Sequence, residues 1–218
     1  MGRRFELIVF DWDGTLMDSA GAIVACIQAA ASDMGLTPPS EQVARHVIGL
    51  GLGEALRHAV PELDVSRHAD LADRYRHHYL AMDHDLALFD GTEALLRDLA
   101  AGGYVLAVAT GKSRGGLDRA LATSGLGSYF QGTRCADECH SKPHPQMLDE
   151  LMGEFGVAPE VTLMIGDTTH DLLMARNAGV ASLAVTYGAH ERTDLESQQP
   201  LHCADSIAEL AAWLRANG

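Results

Sequence analysis

The stretch VFDWDGTLMDS, residues 9–19, places two carboxylates, Asp11 and Asp13, one residue apart and runs straight into Gly14-Thr15. Like charges this close repel, and nothing basic in the stretch offsets them. The apolar run before them, residues 6–10, has the length of a strand, so the acids fall at the lip of a buried strand. In an open parallel sheet ligands bind at the carboxyl ends of strands. The pair is therefore placed for chemistry.

Outward from this point, strand-length apolar runs recur at 104–110 (YVLAVAT), 161–166 (VTLMIG) and 182–186 (SLAVT), with a shorter one at 132–135. They do not alternate with polar residues, as expected of strands covered on both faces. Helical patterns at 92–101, 113–124, 145–155 and 170–178 separate them. This alternation predicts an α/β fold, a three-layer Rossmann-like core around a parallel sheet. One interval breaks the rhythm. More than ninety residues separate the first two strands, where a crossover needs a single helix. Helical patterns at 20–35, 40–47, 53–59 and 67–81, punctuated by GLTPPS and IGLGLGE, predict a small helical cap over residues 18–88, with 1–17 and 89–218 forming the core.

Composition narrows the function. The chain has 218 residues, 47% hydrophobic and 21% charged, the balance of a soluble globular protein. No apolar run approaches the roughly 18 residues that span a bilayer, and the short apolar part of MGRRFELIVF argues against a signal peptide. A cytoplasmic protein without membrane partners is the expectation. A net charge of −14 weighs against nucleic acid, and any anion site must carry local positive charge. The chain holds two lysines, Lys112 and Lys142. Cys135, Cys139, His140 and His144 invite a metal reading, but no second cluster completes it, and free thiols are the expected state. The sequence leaves oligomeric state open.

The strand ends gather the chemistry. The first carries Asp11 and Asp13, the second Thr110-Gly111-Lys112, and the third Gly166-Asp167 through Asp171, while Lys142 follows the short run at 132–135. Several carboxylates held together call for a cation, and oxygen ligands suit Mg²⁺. Asp11 can attack phosphorus as a nucleophile, and Asp13 can protonate the leaving oxygen and then deprotonate water. Lys142 and the Thr110 hydroxyl can hold phosphoryl oxygens. Gly14, Thr15, Gly111 and Lys112 flank these groups as candidate substrate contacts, with Arg45 and Arg57 beside the Gly49–Gly53 loop. Lys112 and Arg114 read equally as phosphate contacts or as helix N-terminal surface residues.

The chain resembles the haloacid dehalogenase superfamily, within it the phosphoglycolate-phosphatase-like branch. Asp11-Trp12-Asp13-Gly14-Thr15-Leu16 is similar to its DxDGT motif and Thr110 to its hydroxyl motif. Lys142-Pro143-His144-Pro145 resembles its lysine motif, and Gly166-Asp167 through Asp171 its GDxxxD motif. The resemblance implies Asp11 as nucleophile and Mg²⁺ ligand, and Asp13 as acid/base offering its backbone carbonyl to the metal. It implies Asp167 as a further ligand and Asp171 as support for the metal and Lys142. Trp12 departs from the commoner Phe or Leu and should point away from the site.

The expected function is a Mg²⁺-dependent phosphatase acting on a small phosphorylated metabolite, phosphoglycolate-like or a sugar phosphate, through an aspartyl-phosphate. Asp13 argues against dehalogenases, and a cap without lysine against Schiff-base phosphonate cleavage. A β-phosphoglucomutase-like mutase needs the same core, and a binding protein that kept only the fold is the reading from another class.

Overall fold

The computed structural model describes residues 3–218, the side chain of His84 excepted. Six strands form one sheet: β1 (Leu7–Phe10), β2 (Val105–Thr110), β3 (Gly132–Cys135), β4 (Thr162–Gly166), β5 (Ala181–Val185) and β6 (Cys203–Ala204). Their order is β3-β2-β1-β4-β5-β6 and every pairing is parallel. Phe10 pairs with Val108 on one side and Ile165 on the other, so β1 lies at the centre, where the strand order changes direction. That crevice is where open α/β sheets bind ligands.

Ten α-helices accompany the sheet among the described residues. Four lie between β1 and β2: α1 (Ala20–Asp33), α2 (Glu41–His46), α3 (Leu52–Ala59) and α4 (His68–Met82). Then follow α5 (Thr92–Ala101), α6 (Arg114–Ser124), α7 (Gln146–Phe155), α8 (Thr169–Asn177), α9 (Arg192–Ser197) and α10 (Ile207–Asn217). Alternate residues of β1 feed opposite faces, as a pleated strand requires. Ile8 and Phe10 pack with Leu96 of α5, Leu117 of α6 and Leu214 of α10. Leu7 and Val9 pack with Met147 and Leu151 of α7 and Met174 of α8. The result is a three-layer α/β sandwich with both sheet faces covered. Trp12 is fully buried in the first of these clusters, edge-on to Phe130 at 6.4 Å.

Helices α1–α4 share a hydrophobic cluster of their own, including Ile23, Ile27, Val47, Leu56, Leu71 and Tyr79. The two chain segments joining them to the sheet run side by side. Asp18 N donates to Ala87 O at 2.9 Å and Phe89 N to Leu16 O at 3.0 Å. The first connection starts a few residues after Asp11, and the second is hydrogen-bonded to the first.

The strands at residues 6–10, 104–110 and 161–166 each start one residue later, and the one at 182–186 is shifted by one residue at both ends, within the ordinary spread of boundary assignment. One strand and two α-helices lie outside the pattern predicted above: β6, α9 and α10. β6 is two residues long and extends the far edge of the sheet through its pairing with β5.

Candidate active site

The ends of β1 and β4, the first turn of α8 and the loop after β3 bring four ionisable groups into one buried cluster. Asp11, Lys142, Asp167 and Asp171 are each at most 1% exposed. The Lys142 Nζ lies 2.6 Å from Asp171 Oδ1 and 2.8 Å from Asp11 Oδ1. Asp171 is held from behind, because its Oδ2 accepts from the Thr168 hydroxyl at 2.7 Å and the Thr168 N–H at 3.1 Å. Thr168 in turn caps α8 with Asp171 as the reciprocal partner, so one capping box both starts the helix and aims a site carboxylate. Asp167 accepts from the Thr15 hydroxyl at 2.9 Å and from the Ala189 N–H at 2.7 Å. Gly14 sits at φ +79°, and a Cβ there would lie 2.1 Å from Asp167 Oδ2. The turn after β1 therefore requires glycine to let Asp167 approach.

Neither oxygen of Asp11 has a hydrogen-bond partner among the described residues. The Lys142 ammonium is within charge-contact distance of Oδ1 but is not aligned as a hydrogen bond, and Oδ2 has no partner of either kind. Burial pushes the Asp11 carboxyl up to about 7, with Lys142 opposing and the charges of Asp171 and Asp13 adding to the rise. Burial, then Asp11 and Asp171, hold Asp167 well above the carboxylate range against the Ala189 and Thr15 donors. For Lys142 burial acts to lower the pKa, but Asp11 and Asp171 outweigh it and keep the ammonium charged. One oxygen each of Asp11, Asp167 and Asp171 lie within 4.8 Å of one another. One lysine cannot neutralise three such carboxylates. A hard divalent cation can, and an all-oxygen donor set with an orphaned carboxylate oxygen fits Mg²⁺.

Asp13 takes a different position. Its Oδ1 accepts from the Ser19 hydroxyl at 2.6 Å, and its Oδ2 lies 3.0 Å from Lys112 Nζ. Lys112 Nζ also donates to the Tyr79 hydroxyl at 2.8 Å, so this lysine joins α4 to the second acid. Its charge is thus already matched by protein. Thr110 is fully buried at the end of β2, where its Oγ1 accepts from the Lys112 N–H at 3.2 Å. Gly111 meets the loop before α3 so closely that a Cβ would lie 2.5 Å from Leu50 O and 2.6 Å from Gly49 O.

Asp11, Asp13, Thr110, Gly111, Lys112 and Arg57 all line one cavity of about 550 Å³ between the sheet and α1–α4. Arg45 is not among its lining residues: it pairs with Glu41 at 2.9 Å and its Nη1 donates to Gly188 O at 3.5 Å. Arg114 is engaged by Glu138 at 2.7 Å and by the Thr133 hydroxyl at 2.8 Å. The four cysteines are free thiols, and the group of three acids is the one cluster of metal-ligating side chains among the described residues. Two participants escape the sequence reading. Ser19 stands at the end of the opening stretch and is a detectable hydroxyl, whereas nothing local marks Tyr79.

The model of the family described as haloacid dehalogenase-like hydrolase matches residues 8–185, a span that includes all four strand ends of the site. The chain belongs to this family. It is 36% identical over 216 residues to "Probable phosphatase IndB" of Dickeya dadantii, covering 96% of this chain and 94% of the relative. It is 31% identical over 217 residues to a phosphoglycolate phosphatase of Vibrio vulnificus, covering 95% of both. A crystal structure of a predicted phosphoglycolate phosphatase from Haemophilus somnus superposes with a TM-score of 0.85 at 27% identity, over 97% of this chain and 99% of that one. Among the described residues no helix is long and apolar enough to cross a membrane.

Proposed function

We propose that the protein is a Mg²⁺-dependent phosphatase that hydrolyses a small phosphomonoester, phosphoglycolate-like or a sugar phosphate, in the cytoplasm. The observation that carries this reading is the buried constellation of Asp11, Lys142, Asp167 and Asp171, whose Asp11 lines a cavity together with Asp13 and Thr110. Names borne by the relatives support it.

Asp11 is the nucleophile. An Oδ forms a bond to phosphorus as the ester oxygen departs, leaving an acyl phosphate on the carboxyl group. Asp13 gives its proton to the departing oxygen, then takes one from the water that attacks the acyl phosphate and regenerates Asp11. Ser19 and Lys112 fix the direction of the Asp13 carboxyl between the two steps. Lys142 and the Thr110 hydroxyl hold the equatorial phosphoryl oxygens, and Asp171 fixes the Lys142 ammonium. Asp11, Asp167 and the Asp13 backbone carbonyl would hold Mg²⁺, with Asp171 beside them. Bound there, the ion supplies neutralisation of phosphoryl charge.

In this reading residues 18–88 are a cap on a core of 1–17 and 89–218. Its paired connections beside Asp11 let α1–α4 exclude water from the cavity and set the size of the substrate. The test is turnover of p-nitrophenyl phosphate and a panel of phosphorylated metabolites by purified protein with Mg²⁺ and with chelator. Release of inorganic phosphate that stops in chelator and in Asp11→Asn supports the reading. Phosphate moved to another position of a sugar would make the protein a mutase, and inertness toward every ester would leave a binding protein on this fold.

A further inference from the structure

The cavity above the acids is larger and more apolar than a two-carbon acid ester requires. Its volume of about 550 Å³ lies in the range of roughly 300–1,000 Å³ that encloses drug-sized ligands. On one side of the acids its wall includes Ile23 and Ile27 of α1, Ile48 before α3 and Tyr75 of α4, while Ser113, Asp137 and Ser141 make another part of the lining polar. The Tyr75 ring stacks on Tyr79 with centroids 5.8 Å apart and planes 23° apart, which stiffens it as a flat wall. Its hydroxyl has no hydrogen-bond partner among the described residues, and burial holds it neutral. A planar group entering here finds an aromatic face, aliphatic contacts and one free phenol.

A second anionic group finds much less. Lys112 is matched by Asp13 and Tyr79. At the mouth, Arg76 pairs with Asp73 at 2.6 Å and Arg119 with Asp83 at 3.5 Å. Arg57 has no ion-pair partner among the described residues, but it is exposed, and Glu54 lines the cavity one turn before it. A substrate carboxylate next to the phosphoryl group would therefore lie beside Asp13 and a Lys112 whose charge is already matched, and that costs free energy.

We infer that the physiological substrate is a phosphomonoester with a planar, largely apolar ring system as its body, rather than a short anionic or polyhydroxylated chain. This rests on the phosphatase reading above but assigns the ester a different body from phosphoglycolate or a sugar. The phosphoryl group would sit at Asp11 with the ring between the α1 isoleucines and Tyr75.

The test is a series of esters that share a primary alkoxide leaving group, so that the chemistry stays constant while the body grows: ethyl, benzyl and 2-naphthylmethyl phosphate, with phosphoglycolate and glycerol phosphate as polar members. With Mg²⁺, kcat/KM should rise roughly 10- to 100-fold from ethyl to benzyl phosphate, the range given by burying one phenyl-sized group, and again for the second ring. Phosphoglycolate should fall at or below ethyl phosphate. Tyr75→Ala should shrink the naphthylmethyl-to-ethyl ratio at least tenfold, and Ile27→Asn provides a second, independent wall change read by the same ratio. A flat series, or phosphoglycolate as the best member, overturns the inference even if the protein is a good phosphatase. If wild type turns over no ester, the phosphatase reading fails. The same series is then read as affinity by calorimetry on the wild-type protein with Mg²⁺: tighter binding of the larger rings supports the ring chamber, and equal affinities overturn it.

Discussion

Removal of the divalent ion should change stability in a way that depends on pH, and the size follows from the buried acids. Asp11 is raised from 3.8 to about 7, and Asp167 is raised too. A carboxyl raised in the folded state binds more protons there than in the unfolded chain. Its stabilisation is full below its unfolded pKa and lost as pH rises through about 7. His190 acts oppositely: burial, with His170 and His46 adding, lowers it to about 4, so its contribution grows between about 4 and its ordinary range. The two trends oppose each other in a plain pH–stability curve. The difference between Mg²⁺ and chelator isolates the acids. At Mg²⁺ near 100 times its Kd at pH 8, binding stabilises by about 2.7 kcal/mol, which is about 5–10 °C in Tm for a chain of this size. Protons competing at a group of pKa about 7 weaken apparent affinity roughly tenfold at pH 6 and a hundredfold at pH 5, leaving about 1.4 and about 0.4 kcal/mol. Thermal unfolding followed by fluorescence in paired Mg²⁺ and EDTA samples from pH 5 to 8 reads this directly. A Mg²⁺ shift of equal size at both ends, or one undiminished in Asp11→Asn, would refute the reasoning.

Lys142→Met leaves Asp11 and Asp171 buried without their ammonium, which should cost about 3–5 kcal/mol in denaturant unfolding, and adding Asp171→Asn should recover part of it. Gly111→Ala puts a methyl group against the Gly49 and Leu50 carbonyls. It should force the loop before α3 away, lowering kcat/KM more than tenfold and stability by about 1–3 kcal/mol. Lys112→Met frees the Asp13 carboxyl from one of its two supports. Its kcat should fall about 10- to 100-fold for alkyl phosphates and less for p-nitrophenyl phosphate, whose leaving group needs little proton transfer. Tyr79→Phe, which keeps the ring and loses only the hydroxyl, should show a smaller loss in the same comparison.

The sheet was legible because β1, β2 and β4 are unbroken apolar runs, and such runs form strands buried on both faces. The polar residues that end them stand out for the same reason: Asp11, Thr110 and Asp167 follow directly on apolar runs. α10 also carries a signal, since Ile207, Leu210 and Leu214 recur at helical spacing behind the cap Ser206. β6 carries none: it is two residues with no apolar run, and its pairing with β5 is purely tertiary. Side-chain partnerships across the chain were the least legible. Lys112 meets Tyr79, 33 residues earlier, because the packing of α4 against α1 sets which face of α4 looks down on the sheet. Arg45 and Arg57 flank the same glycine-rich loop in sequence, yet one reaches Gly188 and the other lines the cavity. The chain direction through that loop separates them, and spacing alone does not encode it.

In the proposed reaction the Asp11 carboxylate becomes covalently phosphorylated. Mixing the enzyme with a turned-over ester and Mg²⁺, quenching in acid within milliseconds and mapping peptides by mass spectrometry tests it most directly. A phosphoryl group should appear on the peptide holding Asp11, disappear on treatment with hydroxylamine as an acyl phosphate does, and be absent from Asp11→Asn. Turnover at full rate by Asp11→Asn, or a stable phosphoryl group on another residue that forms and decays at the rate of turnover, would contradict the account.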